Sequence, residues 1–211
     1  MRASELIDPA ARQRLEAVVA EAERATGGEI VVAVVGACDE YGAVGWRLGV
    51  ALAAATFLAL GWFLPPLPWT AYLAAQAAAL LAGHALGRIE PVRRALLSPR
   101  LVEERVAQRA RRCFAEQGLA RTRNRTGILI FVALLEHRVV VLADEGIHRA
   151  LDPDESWQQV VDLAVAGLRA GRPVEGLEAA VRRCGEILAR HLPADVPNPD
   201  ELPNELVILE D

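Results

Sequence analysis

The chain has 211 residues, 53% of them hydrophobic and 24% charged, with a net charge of −5 and a mean hydropathy of +0.21, so a charged soluble portion must coexist with a concentrated apolar block. All 23 basic residues are arginine, which excludes Schiff-base lysine chemistry and a phosphate-loop lysine. Cys38, Cys113 and Cys184 are isolated, with no CxxC and no histidine at ligand spacing, and are expected to be unpaired, mostly buried thiols in a reducing compartment rather than a disulfide or a metal site.

From the N-terminus, Asp8-Pro9 reads as a cap followed by proline in the first helical turn. Leu15, Val18, Val19 and Ala22 then recur at helical spacing until Gly27-Gly28 ends the run. GEIVVAVVG, residues 28–36, has the length and the valine content of a buried strand. The opening MRASELIDPAARQRLEAVV lacks the apolar core of a signal peptide.

The apolar block follows. Between Leu48 and Gly87 there is no Arg, Asp or Glu, and PPLP at 65–68 divides the block into LGVALAAATFLALGWFL (17 residues) and WTAYLAAQAAALLAGHALG (19 residues). Each is near the length needed to cross a bilayer core, and Trp62, Trp69 and Tyr72 flank the prolines where interfacial aromatics sit. A transmembrane helical hairpin is the expectation; a pair of buried core helices is the alternative, but a chain of this size would struggle to cover two helices apolar on every face. Gln76 and His84 are assigned no function. Arg47 precedes the first span, and Arg88, Arg93, Arg94 and Arg100 follow the second. The positive-inside rule therefore expects an inner-membrane protein with both soluble segments in the cytoplasm.

Beyond the hairpin, Ser98-Pro99 opens a second helix, with Val102, Val106, Ala110, Cys113 and Phe114 on one face, ending at Gly118. TGILIFVAL (126–134) and RVVVLA (138–143) are apolar runs whose short link, Leu135-Glu136-His137, implies an antiparallel hairpin. Two amphipathic helices come next. The first uses Trp157, Val160, Val161, Ala164 and Leu168; the second, opened by Gly171-Arg172-Pro173, uses Val174, Leu177, Val181, Cys184 and Leu188. Such an order predicts an α/β fold, with helices covering a small sheet. The expected division is residues 1–43 and 88–193 for the soluble domain, 44–87 for the hairpin, and 194–211 for an acidic tail. That tail carries six acids from Asp195 onward and is expected to be extended or disordered, although its LVIL could dock as an edge strand or bind a partner.

The order and wording resemble a known family. RLEAVVAEAERATGGEIVVAVV, then RARRCFAEQGLARTRNRTGILIFVALLEHRVVVLADEGIHRALDP, then AVAGLRAGRPVEGLEAAVRRCGEIL are similar to the TPM domain, also called the TPM phosphatase domain, over about residues 10–36 and 100–190. The resemblance implies an α/β/α sandwich with a small mixed sheet and the hydrophobic hairpin as an insertion. Members of this family include an acid phosphatase, calcium-binding domains and a receptor modulator. Two functions follow as expectations: a membrane-anchored, non-catalytic domain that binds or modulates another membrane protein, or a metal-dependent phosphatase using Ca²⁺ or Mg²⁺.

Five acids crowd LADEGIHRALDPDES, residues 142–156. If strands one and two are parallel and three is antiparallel to two, Asp144-Glu145-Gly146 shares a sheet end with Gly27-Gly28-Glu29 and with Arg123-Asn124-Arg125. Asp144, Glu145 and Asn124 are then candidate ligands for a hard cation, and Arg123 and Arg125 candidate phosphate binders; an ordinary solvated turn is the competing reading. Asp152, Pro153 and Glu155 read as a capping box. HExxH, GxSxG and a glycine-rich phosphate loop are absent from the sequence. Residues 88–125 hold eleven arginines against four acids; with few aromatics for stacking they suit anionic lipid headgroups better than nucleic acid.

Overall fold

The computed structural model describes residues 7–63, 67–151, 156–194 and 202–209. In chain order the elements are α1 (Pro9–Arg24), β1 (Glu29–Val35), α2 (Gly42–Phe63), α3 (Trp69–Leu86), α4 (Glu90–Leu96), α5 (Pro99–Glu116), a 3₁₀ turn (Leu119–Arg121), β2 (Gly127–Ala133), β3 (Arg138–Ala143), α6 (Glu145–Ala150), α7 (Gln158–Arg169), α8 (Pro173–His191) and β4 (Val207–Leu209). They form two compact units, one of residues 1–38 and 103–211, the other of residues 39–102.

The first unit is an α/β domain. Asp8 Oδ1 accepts from the Ala11 N–H at 2.6 Å, the cap that its position before Pro9 predicts. β1 and β2 are buried at every position, as uninterrupted apolar runs require. They pair in parallel, Glu29 opposite Gly127 through Val35 opposite Ala133. β3 returns antiparallel, with Ile128 opposite Ala143, and the sheet order among the described residues is β3-β2-β1-β4. Ile30, Val32, Val34, Ile128, Ile130 and Val132 face one hydrophobic cluster with Leu15 of α1, Val160 and Ala164 of α7, and Leu177, Val181 and Leu188 of α8. The alternate residues Val31, Ala33, Val35, Leu129 and Phe131 are buried as well, as are Val106, Ala110 and Cys113 on the stripe expected for α5, none of which belongs to that cluster. Fully burying side chains of this size contributes about 1.5–3 kcal/mol each.

Two local expectations change. The tail is more than an extended segment. Val207–Leu209 pairs in parallel with β1 at Ala33–Val35, and Leu206, 3% exposed, enters the core cluster. Its backbone N–H donates to Glu16 Oε1 at 3.2 Å, and that of Leu202 to Glu29 Oε2 at 3.3 Å. The apolar LVIL outweighs the surrounding charge because β1, buried on both faces, would otherwise keep an open edge. The second change concerns Asp144-Glu145-Gly146, for which an ordinary turn was the competing reading: Glu145–Ala150 forms the short helix α6. α7 begins at Gln158, whose N–H donates to Ser156 Oγ at 3.1 Å; the capping box expected at Asp152–Glu155 lies outside the described residues.

The second unit is a helical hairpin. α2 and α3 run antiparallel, with Gly49 against Gly83 and Gly45 against Gly87; a Cβ on Gly83 would overlap the Gly49 backbone. Small residues therefore let the two backbones touch, the device by which helices associate without a hydrophobic driving force. Toward the connection, the Phe57 and Tyr72 rings lie 6.5 Å apart. The remaining surface is apolar and uncovered: Val50, Phe57, Leu58, Trp62, Phe63, Trp69, Leu73 and Leu81 are all exposed, Trp62 at 83%. Among the described residues α2 alone is long and apolar enough to cross a membrane, with a mean hydropathy of 1.7 and only 17% of its apolar window buried. α3 has 18 residues and is diluted by Gln76 and His84, so two crossings are not established. The prolines expected to turn the chain, Pro65 and Pro66, lie outside the described residues.

The docked tail has a measurable consequence. Leu206→Ala is expected to lower the unfolding free energy of the chain by about 2 kcal/mol, the low end for a core leucine because a terminal segment can collapse around the gap. An unchanged midpoint in chemical denaturation would show that the tail does not pack.

Candidate functional site

The parallel β1–β2 pair and the antiparallel β3 bring the starts of the first two strands and the exit of the third to one sheet end. Three backbone segments are stitched together there. Glu29 N–H donates to Thr126 O at 3.1 Å, Thr126 Oγ1 to Gly27 O at 2.8 Å, Asp144 N–H to Gly127 O at 2.9 Å, and Gly146 N–H to Arg125 O at 2.9 Å. Thr122 Oγ1 accepts from Thr126 N–H at 3.1 Å and so closes the loop before β2.

Two residues allow this close approach. Gly146 sits so near the Asn124 and Arg125 carbonyls that a Cβ would overlap both. Arg125 adopts a left-handed backbone, φ 57°, a conformation that costs a non-glycine residue of this type about 1 kcal/mol or more. Its guanidinium is held in return. Nε donates to Asp144 Oδ2 at 2.7 Å and Nη2 to Asp144 Oδ1 at 2.9 Å, a fork-on-fork pair. Asp144 Oδ1 also accepts from the Glu145 N–H at 2.7 Å, capping α6. Burial pushes the Asp144 carboxyl upward, but the hydrogen bonds from Arg125 and from the Glu145 N–H, with the Arg125 charge, outweigh it and hold the pKa below the ordinary aspartate value.

Of the residues singled out from sequence, Arg125 and Asp144 are in direct contact, as an ion pair. Asp144 is 7% exposed and both of its oxygens are engaged, by a guanidinium that supplies the positive charge a metal would otherwise supply. Glu145 is exposed and pairs with Arg149 one helical turn away. Asn124 is exposed. Arg125, a predicted phosphate binder, is committed to Asp144, and Arg123 is exposed on the loop beside it. The side chains as placed do not fit a hard cation, which needs several free oxygens converging on one point. Among the described residues no group of three or more His, Cys, Asp or Glu side chains is arranged to hold a metal.

Two buried carboxylates lie nearby, Glu29, which the sequence placed at this sheet end without a role, and Glu23, which it did not single out. Glu23 Oε1 accepts from the Ile30 N–H at 2.7 Å, and Glu29 is 2% exposed within β1. The available signal was Glu29 standing as the first residue of an otherwise apolar strand. The two buried thiols, Cys113 and Cys184, offer no nucleophile. Burial pushes Cys113 up to about 11 and raises Cys184 as well, so neither is a thiolate near neutral pH.

Residues 94–187 match the family model of the TPM domain. No curated protein sequence matches the chain. The NMR structure of the BA42 protein from the psychrophilic bacterium Bizionia argentinensis is similar in fold, with a TM-score of 0.60 and 17% identity over 100% of this chain and 99% of that one.

The Arg125–Asp144 pair makes stability depend on pH in a defined sense. Because the folded-state pKa of Asp144 is depressed, its stabilisation is present in full above the ordinary aspartate value, about 3.9, and is lost as pH falls through the lower folded value. The stability difference between the native chain and Asp144→Asn, which keeps a capping side chain, should be constant from pH 7 to about 5 and shrink below about 4. Asp144→Ala should lose about 1 kcal/mol more than Asp144→Asn, the usual worth of an N-cap. A pH-independent difference would mean that the ion pair is not formed in solution.

Proposed function

We propose that this chain is a membrane-anchored TPM-domain protein, an α/β/α sandwich whose hairpin of α2 and α3 inserts into the inner membrane. In this reading the domain has no chemistry of its own and binds or modulates another membrane protein. The single observation that carries the non-catalytic reading is the Arg125–Asp144 pair. The acidic turn that would have served as a metal site spends its buried carboxylate on an internal guanidinium and a helix cap.

Three further features support the reading. The TPM match at 94–187 bears on family, and the uncovered Trp, Phe and Leu side chains of the hairpin bear on the membrane, since a water-soluble domain rarely leaves so large an apolar surface open. The arginines at the base of the hairpin and the uncharged Leu67-Pro68 at its far end support a cytoplasmic domain under the positive-inside rule. They also provide contact with anionic headgroups.

The competing function, a Ca²⁺- or Mg²⁺-dependent phosphatase using Asn124, Asp144 and Glu145 with Arg123 and Arg125, is separated by one assay. The purified chain is expected to release no phosphate from a generic phosphomonoester with either cation added, and Asp144→Ala is expected to change nothing. Cation-dependent hydrolysis that disappears in Asp144→Ala would replace the modulator reading with the phosphatase. Membrane anchoring is checked independently. The chain should remain in membranes after an alkaline carbonate wash, and a reporter active only outside the cytoplasm, fused after Asp211, should stay silent. A strong reporter signal would invert the orientation.

A further inference from the structure

At the base of the hairpin, within residues 39–102, lies a cavity of about 260 Å³ whose walls include Tyr41, Trp46, His84, Arg88, Arg93 and Glu40. Two of its polar groups are buried without a hydrogen-bond partner among the described residues: Nε of Arg93 and Nδ1 of His84. Arg93 spends only part of its guanidinium inside the protein, donating Nη1 to the Glu40 carbonyl at 3.3 Å. His84 stacks on Trp46 with ring centroids 4.2 Å apart, which fixes its ring. Arg88 is exposed at the rim and has no ion pair among the described residues.

A buried donor is ordinarily paired, so a cavity that retains an unpaired one is suited to an acceptor from outside. Arg93 and Arg88 require that acceptor to be anionic. Glu40 limits its charge. The two arginines and one carboxylate leave a single net positive charge, which balances a monoanion and disfavours a doubly charged phosphate monoester. The cavity also sits where the apolar helices meet their flanking arginines, the level of phospholipid headgroups, with Trp46 and Tyr41 as the aromatic residues typical of that level.

We infer that this cavity binds the phosphodiester headgroup of one anionic phospholipid of the phosphoglycerol type. Arg93 and Arg88 hold the phosphate oxygens, and Trp46 with His84 forms the wall against the glycerol. The site rests on the membrane reading above and refines it: diffuse attraction between basic residues and a charged surface becomes a formed pocket of defined stoichiometry.

The test uses the full chain in neutral detergent, titrated with phosphatidylglycerol, phosphatidylcholine or soluble glycerophosphate and read by native mass spectrometry. One phosphatidylglycerol per chain is expected to bind at least tenfold more tightly than phosphatidylcholine. That preference should vanish in Arg88→Gln/Arg93→Gln and persist in Arg94→Gln/Arg100→Gln, which removes the same charge outside the cavity. Arg93→Lys, which keeps the charge but not the fork, should retain part of it. Equal loss in both double variants would reduce the effect to general surface charge and overturn the site. Binding of glycerophosphate as tight as that of the lipid would overturn it in favour of a soluble ligand. Release of the native chain by alkaline carbonate would instead defeat the membrane reading, so the two failures are distinguishable.

Discussion

Parallel pairing of β1 with β2 is the constraint on which the rest of this molecule depends. Two parallel neighbours cannot be joined by a tight turn, so the chain between Val35 and Gly127 must travel back along the sheet before the second strand begins. That return path contains the hairpin, the arginine-rich flank and α5. The pairing also determines what lies at each end of the sheet. It puts Glu29 beside Gly127, and with β3 antiparallel it delivers Asp144 to the same end as Arg125. The candidate site would not be where it is if the first two strands ran in opposite directions.

How much of this could be read from residues alone divides along physical lines. The apolar runs 28–36 and 126–134 became β1 and β2 because continuous burial leaves a strong local signal, and 138–143, only partly buried, became β3 through its short link to β2. The Asp8 cap and the Gly171-Arg172-Pro173 helix start were legible because each is local: Asp8 accepts from an N–H three residues on, and Pro173 stands in the first helical turn. β4 was harder. Three residues in an acidic, proline-bearing tail carry little local preference, and what fixes them is an open edge on a strand far away in sequence. At the site, sequence spacing brought Asn124, Arg125 and Asp144 to one sheet end but not their pairing. Whether Arg125 meets Asp144 or solvent depends on a left-handed φ at Arg125 and on the tight passage of Gly146, neither of which has a periodic signature.

The acidic segment 142–156 shows why counting carboxylates is a poor guide to chemistry. Asp144 and Glu145 are neighbours in sequence, yet one is buried and neutralised by a guanidinium while the other lies in solvent beside Arg149. Environment rather than residue type decides which oxygen is available to a ligand. The same logic applies at the hairpin base with the opposite sign, where Arg93 Nε and His84 Nδ1 have no hydrogen-bond partner among the described residues.

The position of β1 also imposes an order of assembly. Glu29–Val35 is made before the hairpin, whereas both of its neighbours in the sheet, β2 and β4, are made after it. During synthesis β1 therefore leaves the ribosome as an apolar strand with two unpaired edges, and it stays so while α2 and α3 emerge. Exposed edges of this kind favour pairing with other chains. The long stretch between β1 and β2, which holds α2 and α3, therefore lengthens the interval during which that apolar segment has no partner in its own sheet.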